Sequence, residues 1–184
     1  MDDIVKQAML KWPNVPDCFG WLGLDARGNW YMRDDRAQAQ GGFDSGVPGA
    51  KGSLLQHAKL IEFIQRNYAS DKDGQWFFQN GPQRVYVELE STPWIWRTSD
   101  NHQITAHDGR PATWNQCLVD EQGWLYCETN LGFGLVHTQD VANAADAIEQ
   151  QLWTVKEVSR EALQGLYAYV RSPQSQQATK KPVQ

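Results

Sequence analysis

Three segments of the chain carry one pattern, D-x-x-G-x-Φ-Φ with Φ apolar: Asp25-Ala26-Arg27-Gly28-Asn29-Trp30-Tyr31, Asp71-Lys72-Asp73-Gly74-Gln75-Trp76-Phe77 and Asp120-Glu121-Gln122-Gly123-Trp124-Leu125-Tyr126. Aspartate accepts hydrogen bonds from the backbone that follows it, and glycine takes the positive φ that closes a short loop, so each segment predicts a tight turn entering a strand. The aromatic residues behind each turn favour strand. The first and third copies agree further, since Leu24-Asp25 matches Val119-Asp120 and an apolar strand runs on through Met32 and through Cys127. A loop and then one amphipathic helix follow both. The pattern predicts an α+β fold of repeated antiparallel β-hairpin plus helix units in two related halves, with Asp25/Asp120, Gly28/Gly123 and Tyr31/Tyr126 as equivalent positions.

Helical spacing predicts a first helix over residues 53–68, with Leu54, Ala58, Ile61 and Tyr68 on one face and Ser53 as its cap. A second is predicted over 139–152, where Val141, Ala144, Ala145 and Ile148 form the apolar stripe. Residues 75–79 and 84–90 read as strands joined at Asn80-Gly81-Pro82, and 94–98 as a further strand. In the second of these, Val85, Val87 and Leu89 point one way and Tyr86, Glu88 and Glu90 the other, the acidic pair on a solvated face. Thr154-Val155-Lys156-Glu157 fits a capping box, while 167–170 suits a strand. The domain reading is an N-terminal helix and lead-in over 1–20, a first α+β unit over 21–100, a second over 101–172 and a disordered tail over 173–184.

The charge balance, 17 Lys and Arg against 22 Asp and Glu, gives −5 with no dense basic run, which argues against a nucleic-acid partner. No apolar run approaches a membrane span, and the acidic start Met1-Asp2-Asp3 lacks the basic region of a secretory signal, so the expected location is cytoplasmic. Three cysteines, Cys18, Cys117 and Cys127, with no CxxC, read as reduced, packed thiols and give no zinc site.

Taken in order, Gly28-Asn29-Trp30-Tyr31, Leu60-Ile61-Glu62-Phe63, Gly74-Gln75-Trp76-Phe77-Phe78 and Val87-Glu88-Leu89-Glu90-Ser91-Thr92-Pro93-Trp94 resemble the proteobacterial family catalogued as domain of unknown function 1285. The resemblance covers most of residues 20–172. It implies a fold of repeated α/β units and a signalling role, with no catalytic residues to carry over.

The most chemically suggestive stretch is the Gly-rich loop 41–53. It lacks the P-loop order, because Lys51 precedes Gly52, but free N–H groups at a helix N-terminus beside Lys51, Gly52 and Ser53 suit an anion, with Arg33 and Arg36 nearby. Leu131-Gly132-Phe133-Gly134 reads as a turn. His57, His102, His107 and His137 are scattered and define no metal site, even with Asp108 beside the closest two. Trp94, Trp96 and Arg97 would share a strand, and the two indoles on one face offer a stacking platform or core filling. With no catalytic residue and no cofactor indicated, the leading expectation is a non-enzymatic module, regulatory or signalling, that binds a small anionic ligand or a protein partner, with an oligomer possible. The second is a small enzyme acting on an anionic or phosphorylated metabolite.

Overall fold

The computed structural model describes residues 1–180, and they divide into two compact units. Unit 1 comprises Met1–Asp25, Asn29–Glu90 and the chain from Tyr169 onward; unit 2 comprises Ala26–Gly28 and Ser91–Ala168.

Unit 1 opens with helix α1 (Asp3–Lys11), followed by β1 (Cys18–Leu24), β2 (Trp30–Met32), α2 (Asp35–Gln40), β3 (Ser53–Leu54), α3 (Ala58–Arg66), β4 (Tyr68–Ser70), β5 (Trp76–Asn80) and β6 (Gln83–Leu89). Its six-stranded sheet has the order β3-β2-β1-β6-β5-β4. All neighbours are antiparallel except β1 and β6, which run parallel. Unit 2 holds β7 (Trp94–Thr98), β8 (Ile104–Ala106), β9 (Pro111–Ala112), β10 (Trp114–Val119), β11 (Leu125–Thr129), β12 (Gly132–Val136), α4 (Val141–Glu149), β13 (Val155–Glu157) and a short α5 (Leu163–Leu166). Its sheet has the order β13-β10-β11-β12-β7-β8-β9.

Leaving out β13, the two orders are the same when β1 to β6 are matched with β7 to β12 in turn, including the one parallel junction, β12 with β7. The registers match too. Phe77 faces Tyr86 and Asn80 faces Gln83, just as Tyr126 faces Leu135 and Thr129 faces Gly132, each hairpin closing through two residues. The protein is thus α+β with two related halves, but the equivalences differ from those expected. Asp120, between β10 and β11, corresponds to Asp71 between β4 and β5. Asp25, between β1 and β2, corresponds to Ser99. Sequence similarity could not decide this, because one turn geometry serves all four places. In each, the first residue's N–H donates to the carbonyl of the fifth, its side chain accepts from the fifth N–H, and the fourth sits at positive φ. In the Ser99 copy His102 takes that fourth position, at φ 60°, and hides the repeat.

Several expectations need correction. The boundary between units falls at Glu90/Ser91 rather than at 100, because Trp94–Thr98 pairs with β12. The first helix starts at Ala58, where His57 Nδ1 accepts from the Leu60 N–H, and Ser53 is in strand β3 opposite Met32. The Gly132–Gly134 stretch is strand β12: any Cβ at Gly134 would lie 2.4 Å from the Trp94 carbonyl and 2.5 Å from Trp96 Nε1, so the glycine is there for close packing rather than for a turn. Val155–Glu157 is an edge strand parallel to β10, not the start of a helix. Of 167–170, only Val170 bridges in strand fashion, to Gln75. Residues 173–180, assigned to a disordered tail, form helix α6 (Pro173–Lys180), with proline at its first position and Ser172 Oγ accepting from the Ser175 N–H. Residues 181–184 of that tail lie outside the described residues.

Candidate functional site

The Gly-rich loop is an ordered insertion. Unit 2 joins β8 to β9 by a short turn at Ala106–Arg110, whereas unit 1 spans the same junction with α2 and residues 41–52. Arg33, 1% exposed, ties the loop down: its guanidinium donates to the carbonyls of Ala50 at 2.8 Å, Gly41 at 2.6 Å and Gly20 at 3.3 Å. Phe43 is buried over Gly23, where a Cβ would come within 2.4 Å of the ring. Lys51 pairs with Glu90 at 2.7 Å, and Arg171 with Asp44 at 2.8 Å.

These contacts place the expected anion residues in structural roles. The loop runs into β3 and not into the α3 N-terminus, so Lys51, Gly52 and Ser53 do not flank free helix N–H groups. Gly52, at φ +78°, has the carbonyl of Met32 where a Cβ would stand. Arg36 is exposed on α2. Glu88, expected on a solvated face, is 2% exposed, because α6 covers β6: its carboxylate accepts from Ser172 Oγ at 2.6 Å and from the Gln174 N–H at 3.0 Å. Burial pushes its pKa above the ordinary 4.5, against the opposing pull of those hydrogen bonds.

The tryptophan pair is interior. Trp94 and Trp96 are 3% and 0% exposed and stack at 5.9 Å, and Trp96 Nε1 donates to the Cys127 carbonyl at 2.9 Å. Arg97 points outward and binds Asp140, lowering that carboxyl's pKa chiefly through the hydrogen bond between them. Among the histidines, His102 meets Asp146 at 2.8 Å, and His107 Nδ1 accepts from the Ile95 N–H.

A feature that offers room for a ligand lies elsewhere in unit 1. Helix α1 buries Val5 and half-buries Ala8 and Met9, yet Ile4 and Leu10 are 72% and 85% exposed and Trp12 follows at 51%. The chain then turns through Pro13 and Pro16 into β1. A groove of about 900 Å³ results, with Met9, Leu10, Trp12, Pro13 and Val15 supplying its apolar wall and Lys6, Asp17 and Arg84 its charges. Gln79 of β5 also lines it. Although Gln79 is 1% exposed, and its Nε2 donates to the Gly81 carbonyl at 2.9 Å, its Oε1 accepts no hydrogen bond from the described residues. A second cavity, about 750 Å³, shares Pro16, Asp17 and Arg84 and adds Asp71, Lys72, Asp73 and Tyr86. Sequence reading passed over this region as a lead-in. The available signal was the width of the apolar stripe on α1, broader than one covered face requires.

A family model described as "Protein of unknown function (DUF2946)" matches residues 1–181. The chain belongs to this family. No curated protein matches. Among solved structures, it is similar to a DUF1285 family protein from Silicibacter pomeroyi DSS-3, with 11% identity, TM-score 0.49 and 72% of each chain covered. It is also similar to a DUF1285 family protein from Shewanella baltica OS155, with 14% identity and TM-score 0.45, over 68% of this chain and 91% of that one. The chain therefore resembles the DUF1285 proteins while its family is the other. Among the described residues no helix is long and apolar enough to cross a membrane.

Proposed function

We propose that the protein is a non-enzymatic binding module, regulatory in role, whose ligand lies in the groove beside α1. The observation that carries this reading is Gln79 Oε1, a buried acceptor that takes no hydrogen bond from the described residues and lines a groove with an apolar wall and a few charged groups. Leaving such an atom unmatched costs about 1–3 kcal/mol, which a ligand N–H or O–H would recover. An apolar body against Leu10, Trp12 and Pro13, one hydrogen-bond donor, and an acidic group near Lys6 and Arg84 complete the ligand's chemistry. The residues lining the groove include no serine, cysteine or histidine, which favours binding over catalysis. An enzyme acting at Lys51 and Ser53 is less favoured, since Lys51 is held by Glu90.

Anilinonaphthalene sulfonate combines aromatic rings, an N–H and an anion, and serves as the probe. Saturable binding to the native protein is expected, weakened about tenfold by Gln79→Met and also reduced by Leu10→Ser and Arg84→Ala, a tenfold change being about 1.4 kcal/mol. Non-saturable fluorescence, or affinity indifferent to all three folded variants, would overturn the reading.

A further inference from the structure

Cys117 on β10 and Cys127 on β11 stand directly opposite each other, both 0% exposed, with their sulfurs 2.8 Å apart. The N–H of Cys117 is turned to the other side, donating to the Thr154 carbonyl at 3.1 Å. The two cysteines therefore form a non-hydrogen-bonded pair, in which opposed Cα atoms approach to about 4.5 Å. That separation falls at the near end of the roughly 4.4–6.8 Å range a disulfide spans. The repeat does not require thiols here: the matching positions in unit 1 are Tyr68 and Phe78, which face each other in the same register.

The two sulfurs are also chemically unlike. Trp114 Nε1 donates to Cys117 Sγ at 3.3 Å. Hydrogen bonds from Cys127 and Trp114 hold the Cys117 thiol below its ordinary pKa, while its partner's hydrogen bond, with burial behind it, pushes Cys127 well up. The Trp114 N–H, which would stabilise a thiolate on the sulfur it meets, makes Cys117 the nucleophile and Cys127 the thiol waiting beside it. β13, the edge strand paired with β10 beside Cys117, has only three residues, all exposed, which suits local opening at this edge of the sheet.

We infer that Cys117 and Cys127 are a redox couple which hydrogen peroxide converts into a cross-strand disulfide. The Cys117 thiolate attacks one peroxide oxygen, the O–O bond breaks, and the departing hydroxide takes up a proton to become water. The product is a sulfenic acid at Cys117. Cys127 then gives up its proton and attacks the Cys117 sulfur. The S–O bond breaks, and the hydroxide released leaves as water with that proton. Two thiols lose two electrons in all, and one peroxide becomes two waters. Cys18, in unit 1, takes no part.

The native protein is treated with hydrogen peroxide, quenched, unfolded and titrated for thiols, with intact mass and peptide mapping alongside. The three thiols of the chain should fall to one, the mass should drop by two hydrogens, and the mapped link should join Cys117 to Cys127. Dithiothreitol should reverse all three, and the oxidised form should unfold at a higher temperature, because the cross-link constrains the unfolded chain. Cys18→Ala should leave the reaction intact, whereas Cys117→Ala should abolish the loss of two hydrogens. Three thiols surviving excess peroxide, oxygen addition without loss of hydrogen, or a link that includes Cys18 would each overturn the inference.

Discussion

At the scale of the residue, Glu88 is the most unusual side chain: a carboxylate 2% exposed on a central strand, held by Ser172 and the Gln174 N–H. Burial raises its pKa in the fold, so the native state prefers the protonated acid more than the unfolded chain does. Its contribution is then fully present below the unfolded carboxyl value, near 4.5, and is lost as pH rises through the folded pKa. Asp140 has the opposite sign. Its pKa is lowered by Arg97, so its contribution is present above the unfolded value and lost as pH falls through the folded one. We expect Glu88→Gln to flatten the decline of thermal stability just above pH 4.5, and Asp140→Asn to reduce the loss on acidification. Melting curves across pH 3–8, each variant against wild type, check both signs; unchanged profiles would show that neither group titrates as described.

At the scale of the element, the recurring five-residue turn joins local chemistry to sheet register. In the Asp120 copy one buried carboxylate accepts from the N–H groups of Gln122 and Trp124 and from Tyr126 Oη. Asp120→Ala should therefore cost about 3 kcal/mol, the sum of several lost bonds of about 1 kcal/mol with their donors left unmatched. Asp71→Ala should cost less, since Asp71 makes a similar set in a more exposed place. The glycines separate conformation from contact. Gly123, at φ +80° with open space around it, should lose about 1 kcal/mol on substitution by alanine, from backbone strain alone. Gly52 has the same sign of φ and a carbonyl 2.2 Å from its ideal Cβ, so Gly52→Ala should be several-fold worse. Denaturant unfolding of the four variants gives the ranking directly, and equal costs at Gly52 and Gly123 would refute the packing argument.

At the scale of the whole molecule, each unit is one six-strand plan decorated differently. Unit 1 carries the loop insertion between β2 and β3 and helix α3 between β3 and β4; unit 2 has short connections there and adds α4 and β13 after β12. Both strands of each parallel junction are deeply buried: Leu24, Val87 and Leu89 in one unit and Ile95, Trp96 and Leu135 in the other are 0–1% exposed. Amide hydrogen exchange should accordingly be slowest at β1/β6 and β7/β12 and fast at the edge strands β9 and β13; an edge strand protected as well as a junction would contradict this ordering. The sequence by itself determined what depends on near neighbours along the chain: the Asp and Gly turns, strands β5, β6 and β7, and helix α4 to within a few residues. Their signals are turn chemistry and periodicity, which a short window contains. Tertiary structure alone decided the rest. Which strands pair in parallel, and hence which turns correspond, depends on segments far apart in sequence, such as Leu22 beside Val87 and Trp96 beside Val136. The fate of Arg33, Lys51 and Glu88 depends on what covers them, and a sequence displays charges without showing whether the chain itself will neutralise them. Of the groove beside α1, the sequence carries only the wide apolar stripe of the helix, because a cavity is made by the distances between elements that no local pattern records.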